Sequence, residues 1–194
     1  MENHCPAPLE SFSLRSARDH GIGDMADLIV VQPVEPALTY RLRRDVLRPM
    51  LAIEDMDQFG DDGEDTGIYG ATEISTGELV GTGNVRHEAP PAGLLEEVAP
   101  GWTADTWRLR GMATREDLRS LGIGAKVLGA CVGHVAERGG GFLWCNARVP
   151  AQRFYERAGL RPWGDEFETY GIPHVVMWRM VEARAAEESG ESVT

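Results

Sequence analysis

Arg119-Ser-Leu-Gly122-Ile-Gly124-Ala125 is the stretch of this chain whose residue types and spacing could most directly do chemistry. It follows a strand-like run, Trp107 to Thr114, and opens an amphipathic helix. A helix start leaves backbone N–H groups without intrahelical partners and carries the positive end of the helix dipole, and glycine keeps those groups unobstructed. The combination is a cradle for a pyrophosphate. Spacing narrows the choice of cradle. A dinucleotide fingerprint places its third glycine three residues after the second, yet Val127 stands there and the next glycine is Gly129. A P-loop needs a hydroxyl after its lysine, whereas Lys126 follows Ala125 and is followed by Val127. What remains is an Arg-x-x-Gly-x-Gly/Ala run between a strand and a helix.

A second constellation follows that helix. Phe142-Leu-Trp-Cys-Asn146 is a short apolar strand ending in asparagine, and the segment from Ala147 carries Phe154-Tyr155 on a short helix that closes at Gly159-Leu160. In order, separation and residue types the pair resembles two motifs of the GNAT superfamily of N-acetyltransferases: the acetyl-CoA pyrophosphate loop, then the strand, asparagine and Phe-Tyr helix. The resemblance covers Trp107 to Met180 well and the first half only in its order of elements. Gly171-Ile-Pro-His174, before the last strand, is similar to one bacterial subgroup of the family.

The resemblance implies an α/β (α+β) GNAT fold, a mixed central sheet splayed between its fourth and fifth strands with flanking helices. It implies acetyl-CoA as co-substrate and no metal. Met112, Ala113 and Thr114 would offer backbone groups to the pantetheine amides, a strand-like addition of the cofactor. Arg119, Leu121, Gly122, Ile123, Gly124 and Ala125 would hold the pyrophosphate, and Asn146 would fix the cofactor or a water. The implied activity is transfer of an acetyl group to a primary amine of a small molecule or peptide by direct attack. A non-catalytic acyl-CoA sensor or interaction module on the same scaffold is the alternative, and a homodimer is compatible with the family.

Acyl transfer to an amine needs a neutral amine, positioning against the carbonyl, and a proton for the departing thiolate. Positioning alone supplies about 7–11 kcal/mol, so acid–base help worth ~10²–10⁴-fold is sufficient. Tyr155, matching the motif tyrosine near the sulfur, is the candidate acid against a packing role. The base is less defined. GNAT proteins often carry glutamate in the strand before the loop, yet Trp107-Arg-Leu-Arg-Gly-Met112 has none. His174, Glu168, His87 and Glu73 are the candidates, with an ordered water chain as a further route. His134, near the end of the helix after the glycines, reads as a surface residue compatible with the dipole.

At 194 residues and 42% hydrophobic content the chain suits one domain with one sizeable core. The expected division is a weakly ordered leader over 1–26, a single GNAT domain over 27–181 and a flexible acidic tail over 182–194. A net charge of −12 argues against a nucleic-acid partner. The longest early apolar run, Leu28 to Val31, is too short for a membrane span or signal, which points to a cytoplasmic protein without a membrane partner. Cys5, Cys131 and Cys145 form no Cys-x-x-Cys pair, and the latter two read as small core residues.

Charge is unevenly placed. Glu54 to Asp65 holds seven carboxylates in twelve residues. As a calcium loop starting at Asp55 it puts Phe59 at a ligand position and Thr66 where a bidentate glutamate is needed, so calcium is rejected. In the GNAT fold this segment commonly borders the acceptor site, so it reads either as a solvated loop or as an attractor of amines. Arg108, Arg110 and Arg148 make part of the site positive, which admits a carboxylate-bearing acceptor.

The elements that must position these residues follow from periodicity. Leu28 to Val31 reads as a buried strand, and Pro36 starts a helix with Leu38, Leu42 and Val46 on one face until Pro49. Gly67 to Ile74 and Glu78 to Arg86 form a hairpin around Ser75-Thr76-Gly77, and Pro90 to Gly101 reads as a loop. Ile123, Val127, Cys131 and Val135 make a core-facing stripe that ends at Gly139. Glu166 to Thr169 and His174 to Met180 are the last strands.

Overall fold

The computed structural model describes residues 14, 25–59, 61, 63 and 65–185. Its elements run β1 (Ile29–Pro33), α1 (Pro36–Leu47), β2 (Gly67–Glu73), β3 (Leu79–His87), α2 (Leu94–Val98), β4 (Thr106–Thr114), α3 (Ile123–Glu137), β5 (Gly141–Arg148), α4 (Gln152–Arg157), β6 (Arg161–Thr169) and β7 (Ile172–Val181). The strands form one mixed sheet in the order β1-β2-β3-β4-β5-β7-β6. Every pairing is antiparallel except β4 with β5.

The stripe read from the sequence on α3 is the main packing face. Cys131 and Val135 are fully buried there, with Leu128 beside them, against Val85, Leu109, Leu143 and Met177 of the sheet, while Ile123 and Val127 are buried against Ala71, Val80 and Leu118. Successive residues of β5 point to opposite faces, so Phe142 and Trp144 bury themselves elsewhere, in a second layer with Leu94 and Val176. Leu94 starts α2, a short helix inside the segment expected to be a loop, because the paired prolines precede rather than break it.

Four expectations change in detail. Helix α1 turns Thr39 and Arg43 inward while Leu38 is 63% exposed, because Arg43 makes a buried ion pair with Asp61 and this fixes the inward face. His134 is buried: its Nε2 meets the Asp65 carbonyl at 3.1 Å and its Nδ1 meets the Tyr69 hydroxyl at 3.2 Å. Residue 67 must therefore be glycine, since a Cβ there would lie 2.3 Å from His134 Nδ1. Within the leader, Leu14 is fully buried against Leu28, Ala71 and Leu118, and its N–H donates to Glu73 Oε1 at 2.5 Å. The rest of the leader before Met25, and the chain beyond residue 185, lie outside the described residues. At the other end Arg184 N–H donates to the Ala136 carbonyl at 2.8 Å and its guanidinium pairs with Glu137 at 2.6 Å, which ties the first residues after β7 to α3.

Burial holds the His134 imidazole below its usual value of 6.5, against the opposing bond to the Asp65 carbonyl. A folded state that binds fewer protons than the unfolded chain gains stability as pH rises through the unfolded value and loses it as pH falls. The melting temperature is therefore expected to drop as pH is lowered from 7 through the window below about 6.5. His134→Gln should flatten that slope in a thermal-melt series between pH 7.5 and 5; an unchanged slope would remove His134 as its source.

Candidate functional site

Strands β4 and β5 stay paired only from Thr106↔Phe142 to Arg108↔Trp144 and then part. On its other edge β4 pairs with β3, but Asn84 faces Arg110 while Thr82 faces Ala113, so β4 carries one residue more than β3 across this interval. Gly111 absorbs the excess at φ +59, as a bulge requires. Arg43 of α1 packs over it, and a Cβ at residue 111 would sit 3.2 Å from Arg43 Nε. The parting leaves backbone groups of both strands without sheet partners, which a buried edge must satisfy with something else.

Two cavities open at this parting. The larger, about 1160 Å³, runs from the mouth of α3 along the freed end of β4 to α4. Ser120 and Gly122 hold positive φ, 67° and 81°, and this turn aims the start of α3 into the groove. Helix α3 has no side-chain cap, and its first internal bond runs from Lys126 N–H to Gly122. The N–H groups of Ile123, Gly124 and Ala125 are thus left for a ligand. Of the residues expected here, Met112, Ala113, Thr114, Arg119, Gly122, Ile123, Gly124 and Ala125 line the groove. Leu121 does not; it packs against the core around Leu118 and Ile123. Ser120, Phe154 and Arg179 line it as well and were missed, though Ser120 lies inside the quoted motif.

The smaller cavity, about 220 Å³, lies on the other side of the parting, between α1, β4, β5 and the β6–β7 turn. Tyr155, Arg148, Met112 and Ala151 line both cavities and form the junction between them. Burial, followed by the neighbouring Cys145 and Cys131, pushes the Tyr155 phenol well above its ordinary value, with Arg148 acting against them. It is protonated throughout the physiological range. The same burial pushes the Cys131 and Cys145 thiols up to about 12, so neither is a nucleophile.

His174 lines the smaller cavity opposite Arg148 across β5 and β7. Its Nδ1 lies 2.8 Å from the Ile172 carbonyl. A carbonyl only accepts, so this nitrogen carries the proton of the neutral ring and leaves Nε2 with its lone pair. Asn146, expected against the cofactor, lines the smaller cavity instead of the groove, and its buried Oδ1 has no hydrogen-bond partner. The other base candidates are not brought in. Glu168 is exposed on edge strand β6, where alternation directs Phe167 and Thr169 inward. His87 is exposed, stacked on Trp107 and 3.9 Å from Asp65, and Glu73 is buried in the β2–β3 hairpin under Ser75 and Thr76.

The acidic segment does border the smaller cavity, but through Met56 rather than through carboxylates. Asp61 is buried, paired with Arg43 and accepting from Asn84 Nδ2 at 2.7 Å. Among the described residues no group of three His, Cys, Asp or Glu is placed to hold a metal ion, and no helix is long and apolar enough to cross a membrane.

A mixed sheet parted beside an uncapped helix start, with a cavity on each side of the gap, defines an acyltransferase of the GNAT class. The acetyltransferase (GNAT) domain model matches residues 68–180, so the chain belongs to this family. It is 30% identical over 153 residues to the uncharacterized N-acetyltransferase YitI of Bacillus subtilis (strain 168), covering 78% of this chain and 96% of the relative. Arabidopsis thaliana NAA60 in complex with acetyl-CoA superposes with a TM-score of 0.61 at 16% identity, over 79% of this chain and 97% of that one. An aminoglycoside 6'-N-acetyltransferase complexed with coenzyme A gives 0.58 at 14%, over 81% and 99%.

Gly111→Ala forces a side chain into the left-handed region and against Arg43, and is expected to cost about 1–2 kcal/mol of unfolding free energy. Urea denaturation measures it; a variant as stable as the parent would show that the bulge is not glycine-dependent.

Proposed function

We propose that this protein transfers an acetyl group from acetyl-CoA to a primary amine of a small molecule or peptide by direct attack. The observation that carries the reading is the junction, where Tyr155 and Arg148 line the groove and the smaller cavity at once. The groove fits an acyl-CoA on three counts: free N–H groups at the start of α3, a β4 edge from Met112 to Thr114 that is unpaired toward β5, and no carboxylate among its described lining residues. Acetyl-CoA, when bound, supplies the activated acyl group. NAA60 and the aminoglycoside acetyltransferase, whose structures hold acetyl-CoA or coenzyme A, support the same choice of co-substrate.

The chain's own residues divide the work around the junction. Ile123, Gly124 and Ala125 bind phosphate through backbone N–H, with Gly122 turning the chain into the helix, and Arg119 adds positive charge at the mouth. Met112 to Thr114 orient the arm by strand-like pairing. Tyr155 presents its phenolic O–H at the junction as proton donor to the departing thiolate, a role its position supports and the burial-raised pKa opposes. Nε2 of His174 holds the lone pair that takes a proton from the attacking amine, and Asn146 Oδ1 accepts from an N–H in the smaller cavity.

Calorimetric titration of acetyl-CoA into the purified protein tests the groove. Binding is expected, and Gly124→Asp should abolish it by setting a carboxylate against the pyrophosphate; unchanged affinity in that variant would sink the site assignment. Tyr155→Phe should keep the affinity while lowering acceptor-dependent CoA release by about 10²-fold or more. His174→Gln should lower turnover most at pH 7 and progressively less as pH approaches the amine's own pKa, where free amine needs no base. A loss that is constant across that range would assign His174 a structural part.

A further inference from the structure

We infer that the acceptor is an amine carrying an anionic group, a carboxylate or a phosphate ester, held by the arginines of the smaller cavity. This rests on the acetyltransferase reading of the site and names its substrate class. Arg43, Arg48, Arg108, Arg110 and Arg148 line that cavity and, among the described residues, no aspartate or glutamate does, in a chain whose formal charge is −12. Sequence acidity alone would suit a polyamine; the lining reverses that preference.

Among the described residues two carboxylates, Asp61 and Glu88, stand against these arginines. Asp61 pairs with Arg43 from behind the lining. A single carboxylate, Glu88, takes both Arg86 and Arg108 and lies 4.0 Å from Arg110. Burial, then Arg86 and Arg108, pushes the Arg110 guanidinium down to about 10, although Glu88 and Asp61 act in the opposite sense. Arg148 donates to the Leu47 carbonyl at 2.8 Å and has no carboxylate partner among the described residues. Burial and the nearby Arg48 and Arg119 lower its pKa as well.

A partly desolvated guanidinium without a carboxylate, as Arg148 is among the described residues, costs free energy that a bound anion recovers. Guanidinium groups are suited to both carboxylate and phosphate. Asn146 Oδ1, buried and without a donor in the same cavity, supplies the complementary acceptor for the amine end. The cavity thus offers positive and acceptor ends to one small molecule bearing both an anion and an amine.

The test uses the full chain and matched amines: β-alanine against β-alaninamide, O-phosphoethanolamine against ethanolamine, and spermidine as the polycation. Each is titrated into the protein without acetyl-CoA, then assayed for CoA release with it. The anionic member of a pair is expected to bind and turn over about 10- to 100-fold better than its neutral partner. Which pair shows the larger ratio decides between carboxylate and phosphate. Arg110→Gln and Arg48→Gln, which lie outside the groove, should shrink that ratio while leaving acetyl-CoA affinity unchanged, and that unchanged affinity certifies their fold. Equal or better use of the neutral amines or spermidine overturns the inference, as does acetyl-CoA binding with no preference for any anionic member. Failure of acetyl-CoA to bind would instead defeat the acetyltransferase reading, while anion preference in the first titration would stand without it.

Discussion

The parting of β4 and β5 is the constraint on which the rest depends. Two parallel strands that separate after three pairs cannot satisfy their own backbone inside a domain. The fold tolerates the gap because each strand is held on its other edge: β5 by eight pairs with β7, and β4 by β3 around the bulge. Gly111 makes that bulge, and the close approach of Arg43 to it ties α1 to the same place. What would be a defect in a continuous sheet becomes the passage between two cavities.

Helix α3 converts that passage into a directional site. Its apolar stripe is committed to the core through Val127, Cys131 and Val135, so its start cannot move relative to the sheet. The unbonded N–H groups at that start are therefore fixed beside the freed end of β4. Tyr155, delivered by the short helix α4, sits where groove and cavity meet. A rigid frame of this kind places reacting groups without many of them having to do chemistry.

Charge is unevenly placed. The segment before β2 is acidic in sequence, while arginines from α1, β4 and β5 gather around the smaller cavity. Alternation along β4 accounts for part of this: Trp107 and Leu109 point into one core, so Arg108 and Arg110 share the other face. Arg43 and Arg48 arrive there through the packing of α1, and Asp61 follows Arg43 inward.

The sequence by itself determined the family, the helix start behind the paired glycines and most of the order of elements. These rest on local spacing: glycines at a helix start, a four-residue stripe, an asparagine closing an apolar strand. It did not determine the short helix α2, the inward turn of Arg43 or the burial of His134 under Gly67, each of which depends on partners far along the chain. The separation of the base candidates was likewise hidden. His174 reaches the cavity because β7 pairs with β5, whereas Glu168, six residues earlier, falls on the outer face of an edge strand. Only the tertiary structure decided that the arginines of three elements meet in one cavity with no carboxylate among its described lining residues, because convergence of side chains is set by register and packing, and neither is written in local spacing.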